Sequence, residues 1–190
     1  MLARSPHARK LSLLVLVAAF AVTAHADILA TATYTDSQVS PGVYDYSLTL
    51  NNTGTTTIGT FWFSWIPGAG FLSATPTDIT SPTGWTEITT NANKAIQWKT
   101  TTDLLNPGDS LTGFSFESTE TPVQLLGFVP SGLGAGDPIT TSTVYSGAPL
   151  MGADDIFPAT PTPEPGTMLL TLTGLGLAAA SLKSRFLRKA

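Results

Sequence analysis

From Val43 to Leu50 the chain alternates between apolar and polar positions. Tyr44, Tyr46, Leu48 and Leu50 fall on one face, and Asp45, Ser47 and Thr49 on the other. A period of two over this length predicts a half-buried strand, and Asn51-Asn52-Thr53-Gly54 predicts the turn that ends it. Ile58 to Ile66, containing Phe61-Trp62-Phe63-Ser64-Trp65, is apolar on both faces and predicts a central strand stopped by Pro67-Gly68-Ala69-Gly70. Uninterrupted alternation would put Trp62 and Trp65 on opposite faces, at least one of them in the core. Trp85–Thr89 and Ala95–Lys99 predict a hairpin across Asn91-Ala92-Asn93, with Trp85 and Trp98 as cross-strand neighbours. Leu111–Phe116 follows a turn at Asn106-Pro107-Gly108-Asp109. Val123–Phe128 and Ile139–Tyr145 complete about eight strands. No helical periodicity and no fixed repeat interrupts this series before the last residues. The pattern predicts an all-β fold, an antiparallel β-sandwich, with barrel closure as the alternative.

The two ends follow different rules. Met1 to Lys10 is short and cationic, Leu11 to Val22 is apolar, and Ala24-His25-Ala26 supplies small residues around a cleavage point. That order predicts a secretory signal helix over residues 1–26, cut by signal peptidase so that the exported chain starts at Asp27. An apolar run of about a dozen residues is short of the roughly 20 a spanning helix needs. At the other end, residues 160–166, Thr-Pro-Thr-Pro-Glu-Pro-Gly, predict a stiff spacer that continues neither strand nor helix. Within residues 167–190, a mostly apolar stretch from Met168 to Leu182 precedes Lys183, Arg185, Arg188 and Lys189. This predicts a single transmembrane helix whose basic end stays in the cytoplasm.

Pro163-Glu164-Pro165, a Gly/Leu/Ala-rich helix and a basic end, in that order, resemble the PEP-CTERM sorting signal of bacterial surface proteins. The resemblance covers residues 163–190. It implies an exosortase as partner, with cleavage near the motif and delivery from an inner-membrane precursor to the cell surface or the extracellular matrix. In this chain the cations are spread over seven residues, where the family often has a tight arginine run. A plain single-pass anchor is the alternative. Leu48-Thr-Leu-Asn51-Asn52-Thr-Gly54, taken with Leu105-Asn-Pro107-Gly108-Asp109-Ser110-Leu111, further resembles Ig-like surface modules. That resemblance implies an Ig-like sandwich over residues 27–159.

Composition narrows the chemistry. The chain has thirteen acids and nine lysines and arginines; only Glu164 of the acids lies outside residues 27–159, and only Lys94 and Lys99 of the cations lie within them. A domain so acidic repels phosphate backbones, so nucleic acid is not expected as a partner. There is no cysteine, and both histidines, His7 and His25, fall in the leader. Histidine- or thiol-based nucleophilic catalysis and zinc binding therefore lose their groups. Gly132-Leu-Gly134-Ala-Gly136 lacks the lysine and helix of a phosphate loop and reads as a surface loop.

Three binding or catalytic options remain open. Scattered carboxylates (Asp36, Asp45, Asp78, Glu87, Glu117, Glu120) allow a two-acid hydrolase but read as solvated residues. Asp137, Asp154 and Asp155 offer hard ligands for calcium without a loop of the usual spacing, so no metal site is assigned. Trp85 and Trp98 are candidates to stack on sugar rings such as those of an exopolysaccharide, with core packing the competing role. The expectation is a non-enzymatic exported protein without a cofactor.

Overall fold

A computed structural model describes residues 27–162. The signal segment with Ala24 and Ala26, the Pro163-Glu164-Pro165 motif, and the apolar tail with Lys183, Arg185, Arg188 and Lys189 lie outside the described residues. Among the described residues, no helix is long and apolar enough to cross a membrane.

The fold is all-β and mostly antiparallel, with almost no helix. The strands are β1 (Ala30–Ser40), β2 (Val43–Asn52), β3 (Thr60–Phe63), β4 (Trp65–Ile66), β5 (Ala69–Gly70) and β6 (Thr77–Thr80). They continue with β7 (Thr86–Thr90), β8 (Ala95–Lys99), β9 (Ser110–Ser118), β10 (Thr141–Tyr145), β11 (Asp154–Pro158) and β12 (Thr160–Pro161). One five-stranded sheet has the order β12-β1-β2-β9-β6 and a second the order β11-β10-β3-β8-β7, while β4 and β5 form a small hairpin. Period-two alternation turns one side of each sheet inward. Tyr34, Tyr46, Leu48, Leu50, Phe114 and Phe116 from the first sheet meet Phe61, Phe63, Ile96, Trp98 and Val144 from the second in one buried cluster. Phe114 receives both Phe61 and Trp98 edge-on at 5.4 and 5.3 Å between ring centres. Burying each such side chain stabilises the fold by roughly 1.5–3 kcal/mol, so this aromatic seam is the main attachment between the sheets.

The two turns that resemble Ig-like modules come together. Asn52 donates its amide N–H to the Asp109 carbonyl (3.0 Å), and its carbonyl accepts from Gly108 N–H (2.9 Å). The Asn52 side chain is buried. It donates to the carbonyls of Thr56 (2.8 Å) and Leu105 (3.0 Å) and accepts from Gly54 N–H (3.1 Å).

Three expectations fail for local reasons. Val123–Phe128 is not a strand: Pro122–Leu125 forms the short helix α1. Thr121 caps it by accepting from Gln124 N–H while the Gln124 carboxamide oxygen accepts from Thr121 N–H, and Pro122 sits in the first turn. This capping box overrides the strand propensity of Val123. The single strand expected over Ile58–Ile66 is divided, because Ser64 lies at φ 57°. Thr160–Pro161, expected to open a spacer, is a parallel edge strand on β1, and Thr162 N–H donates to the Tyr34 carbonyl (2.8 Å). Pro161 is tolerated because an edge position needs no second ladder bond. The last described segment thus passes from the second sheet (β11) through buried Ala159 to the first (β12) within two residues.

Candidate functional site

The left-handed Ser64 governs the Trp62–Trp65 pair. Its bend cancels the alternation and lays both indoles on the outer side of the second sheet, stacked at 4.0 Å between ring centres and 19° between planes. Trp65 Nε1–H donates to Asn91 Oδ1 (3.0 Å), and Tyr145 closes the cluster edge-on. Both indoles are buried, so this pair is a second small core and not a sugar platform. Trp85 and Trp98 are also buried and both pack against Phe114, which leaves neither with an open ring face for a ligand. They are not cross-strand neighbours: Trp98 stands opposite Glu87, and Trp85 precedes β7. Trp85 donates through Nε1–H to the Asp103 carbonyl (3.0 Å) and Trp98 to the Thr80 carbonyl (2.8 Å).

The acids divide as well. Glu120, read from sequence as solvated, is 2 % exposed. Its Oε1 accepts from Ser73 N–H (3.0 Å) and from the Ser73 hydroxyl (2.6 Å), and its backbone carbonyl accepts from the Tyr46 hydroxyl (2.6 Å). Its Oε2 is buried with no hydrogen-bond partner. Burial, and secondarily the Asp36 and Glu120 charges, push the Tyr46 phenol far above its ordinary range. On the outer face of the first sheet Glu117 stands opposite Asp45 and Thr77. Partial desolvation, then the Asp78 carboxylate and Asp45, raise the Glu117 carboxyl. Asp155 Oδ2 accepts from Ala30 N–H (2.8 Å), tying β11 to the start of β1. Among the described residues, no group of three or more acids is placed to hold a metal ion.

Two surface features result. The first is a cleft of about 510 Å³ at the end of the sandwich that carries α1. Its walls are the β5–β6 loop (Phe71, Ser73), Lys94 from the β7–β8 turn, Glu120 just before α1 and Gln124 within it, and the 128–131 loop with Ile139. Glu120 is its one carboxylate among the lining residues, so the acid pair a glycosidase needs is not assembled there. Phe128 is 65 % exposed at its rim. The glycine-rich loop that follows is shaped to its neighbours: a Cβ at Gly134, which sits at φ 83°, would come within 2.6 Å of the Phe71 ring.

The second feature is a shallow depression of about 350 Å³ on the outer face of the first sheet. Thr33, Thr49 and Thr112 stand in one rank across β1, β2 and β9, and Thr35, Ser47, Ser115 and Thr80 in the next. In a neighbouring rank, Asn51 Oδ1 accepts from the Ser110 hydroxyl (2.6 Å). Tyr34, Leu48 and Phe114 also line the depression, and none of its lining residues is charged.

Sequence reasoning missed the cleft because its groups come from five separate segments. Phe128 and Glu120 carry no local pattern that marks one as exposed and the other as buried.

No family model matches the chain, and no curated protein does. Several solved structures overlap with it. An exo-β-N-acetylglucosaminidase of the GH20 class from Vibrio harveyi has a TM-score of 0.40 and 13 % identity, over 70 % of this chain and 18 % of that one. The chitin-binding domain of Chi18aC from Streptomyces coelicolor has a TM-score of 0.34 and 22 % identity, over 48 % of this chain and 81 % of that one. A CBM3-type module of Hungateiclostridium clariflavum has a TM-score of 0.36 and 13 % identity, over 67 % and 99 % respectively. The chain spans under a fifth of the Vibrio enzyme's length, and overlaps this loose assign it to no family.

Proposed function

We propose that this chain is an exported, non-catalytic surface or matrix protein whose sandwich binds an extracellular polysaccharide in the α1 cleft. The observation that carries the reading is an open cleft of about 510 Å³ with Phe128, 65 % exposed, at its rim. An aromatic face packs against the C–H face of a pyranose, while amide and hydroxyl groups orient its substituents. Ser73, Gln124 and Ser131 supply such groups around the same cleft.

The test is affinity electrophoresis of the full chain in gels containing a panel of neutral, acidic and amino-sugar polysaccharides. Retardation by at least one polymer is expected, with a dissociation constant about tenfold weaker in Phe128→Ala, or about 1.4 kcal/mol. No retardation by any polymer, or indifference to Phe128→Ala, overturns the reading.

The tail supports the first half of the proposal, export to the surface or matrix. Its Pro163-Glu164-Pro165 motif, apolar stretch and basic end resemble the sorting signal of an exosortase substrate, which would hold the precursor first in the inner membrane. Intact mass measured in membrane, envelope and medium fractions decides it. A released species beginning at Asp27 and ending near the motif is expected. Recovery only of a membrane form that retains residues 168–190 would leave a simple anchor.

A further inference from the structure

The chain leaves the sandwich at a defined place and in a defined direction. β12 runs parallel to β1, and Thr162 N–H donates to the Tyr34 carbonyl (2.8 Å). From that level β1 rises about 20 Å to its turn into β2, at about 3.3 Å per residue. β9 ends opposite Tyr44 beside the same turn and α1 follows it, so β12 points toward the α1 end of the sandwich. The apolar stretch of the tail begins at Met168. An extended chain spans at most about 20–22 Å between Thr162 and Met168, and Pro163 and Pro165 bias the residues before them to extended conformations. If that stretch spans a membrane, the bilayer begins within about 22 Å of Thr162, and the sandwich has no room to stand clear of it.

Two surfaces lie along this path. β11, joined to β12 through Ala159, presents the Asp154 and Asp155 carboxylates beside exposed Ile156. The α1 end presents Val39 near the end of β1, Val123 and Leu126 of α1 and its cap, and Phe128 after them, all exposed, Val123 to 79 %. Leu104 and Met151 are also exposed, but at the opposite end, from which β12 points away. An exposed apolar cluster at the end nearest a bilayer is suited to its interface.

We infer that the uncut chain rests on the outer surface of the membrane that holds its tail, with the α1 end of the sandwich seated on the lipid through Val123, Leu126 and Phe128. This rests on the tail reading above and goes beyond it. Phe128 is then covered, so the cleft meets a polysaccharide only after cleavage frees the sandwich. The contact is apolar, since Asp45 and Glu117 stand one rank below the Tyr44–Ser118 pair and oppose anionic headgroups.

The chain has no cysteine, so Val123→Cys, Phe128→Cys and Met151→Cys each create a single labelling site at an exposed position. The exported chain, residues 27–190, carrying an environment-sensitive fluorophore at one of these sites, is reconstituted in phosphatidylcholine vesicles with and without a lipid quencher at headgroup depth. Quenching of at least about twofold at Val123 and Phe128, with none at Met151, is expected. Equal quenching at Met151, or none at Val123 or at Phe128, in chains that float with the vesicles overturns the seating on lipid and leaves the tail reading standing. Chains that do not float with the vesicles overturn the tail reading, and this inference with it.

Discussion

Asn51 and Asn52 are adjacent and chemically identical, and the structure gives them different weights. Asn52 is buried and its carboxamide makes three hydrogen bonds, to Thr56, Leu105 and Gly54. Asn51 is on the outer face, where it accepts from Ser110 and donates to the Thr31 hydroxyl at 3.3 Å. Asn52→Ala removes all three bonds and leaves the Thr56 and Leu105 carbonyls without that donor. At about 1 kcal/mol for each bond, the loss is about 3 kcal/mol, a large share of the 5–15 kcal/mol typical of a domain. For a domain of roughly 140 residues this lowers the midpoint by about 12 °C. Asn51→Ala, at a half-buried position whose hydrogen bonds lie open to solvent, should stay within about 0.5 kcal/mol. Urea unfolding followed by tryptophan fluorescence, with thermal melts alongside, measures both. Equal losses for the two variants, or a loss under about 1 kcal/mol for Asn52→Ala, would refute the claim that this side chain locks the two turns together.

Other consequences can be checked on the same preparations. Ala92 sits at φ 56° between two asparagines that are also left-handed. Glycine there avoids about 1–2 kcal/mol of strain and loses about 0.5–1 in unfolded-state entropy; Ala92→Gly should therefore raise the melting midpoint by a few degrees, and a lowered midpoint would contradict the assigned turn. Trp98→Phe removes the hydrogen bond to Thr80 and leaves a void beside Phe61, for a loss of about 2–3 kcal/mol; polysaccharide affinity should not change, and a loss of binding without a loss of stability would return Trp98 to the ligand site. Burial raises the phenols of Tyr34, Tyr46 and Tyr145 above 10.0, the ordinary tyrosine value. Their stabilisation is whole below that pH and is lost as pH rises through the higher folded values, because the unfolded chain ionises first. Melting midpoints should hold to about pH 9 and fall above pH 10, less steeply in Tyr46→Phe; phenolate absorbance showing all four native tyrosines ionising together near pH 10 would exclude this.

The strands with large apolar residues were legible from the sequence. Ala95–Lys99 matches β8 residue for residue, and β2 and β9 contain the segments expected of them. β1 was missed because its inward face includes Ala30 and Ala32, too small to stand out from the threonines between them. The α1 helix was hidden for the opposite reason: Val123 and Leu125 look like strand residues, while the decisive signal is polar, in Thr121 and Gln124. Nothing local announced that Ser64 would turn left-handed and stack two indoles that simple alternation separates. The cleft lies beyond pattern reading altogether, since Lys94, Glu120 and Phe128 converge only when both sheets close.

The crossing of the last described segment from one sheet to the other has a mechanical meaning. A pull applied beyond Thr162 runs along β12, parallel to β1, so its hydrogen bonds are loaded side by side in shear and not opened one after another. Behind β12, buried Ala159 and β11 pass the load to the second sheet, where Ala159 N–H holds the Thr140 carbonyl (3.0 Å). Tension on the C-terminal side is therefore shared by both halves of the sandwich.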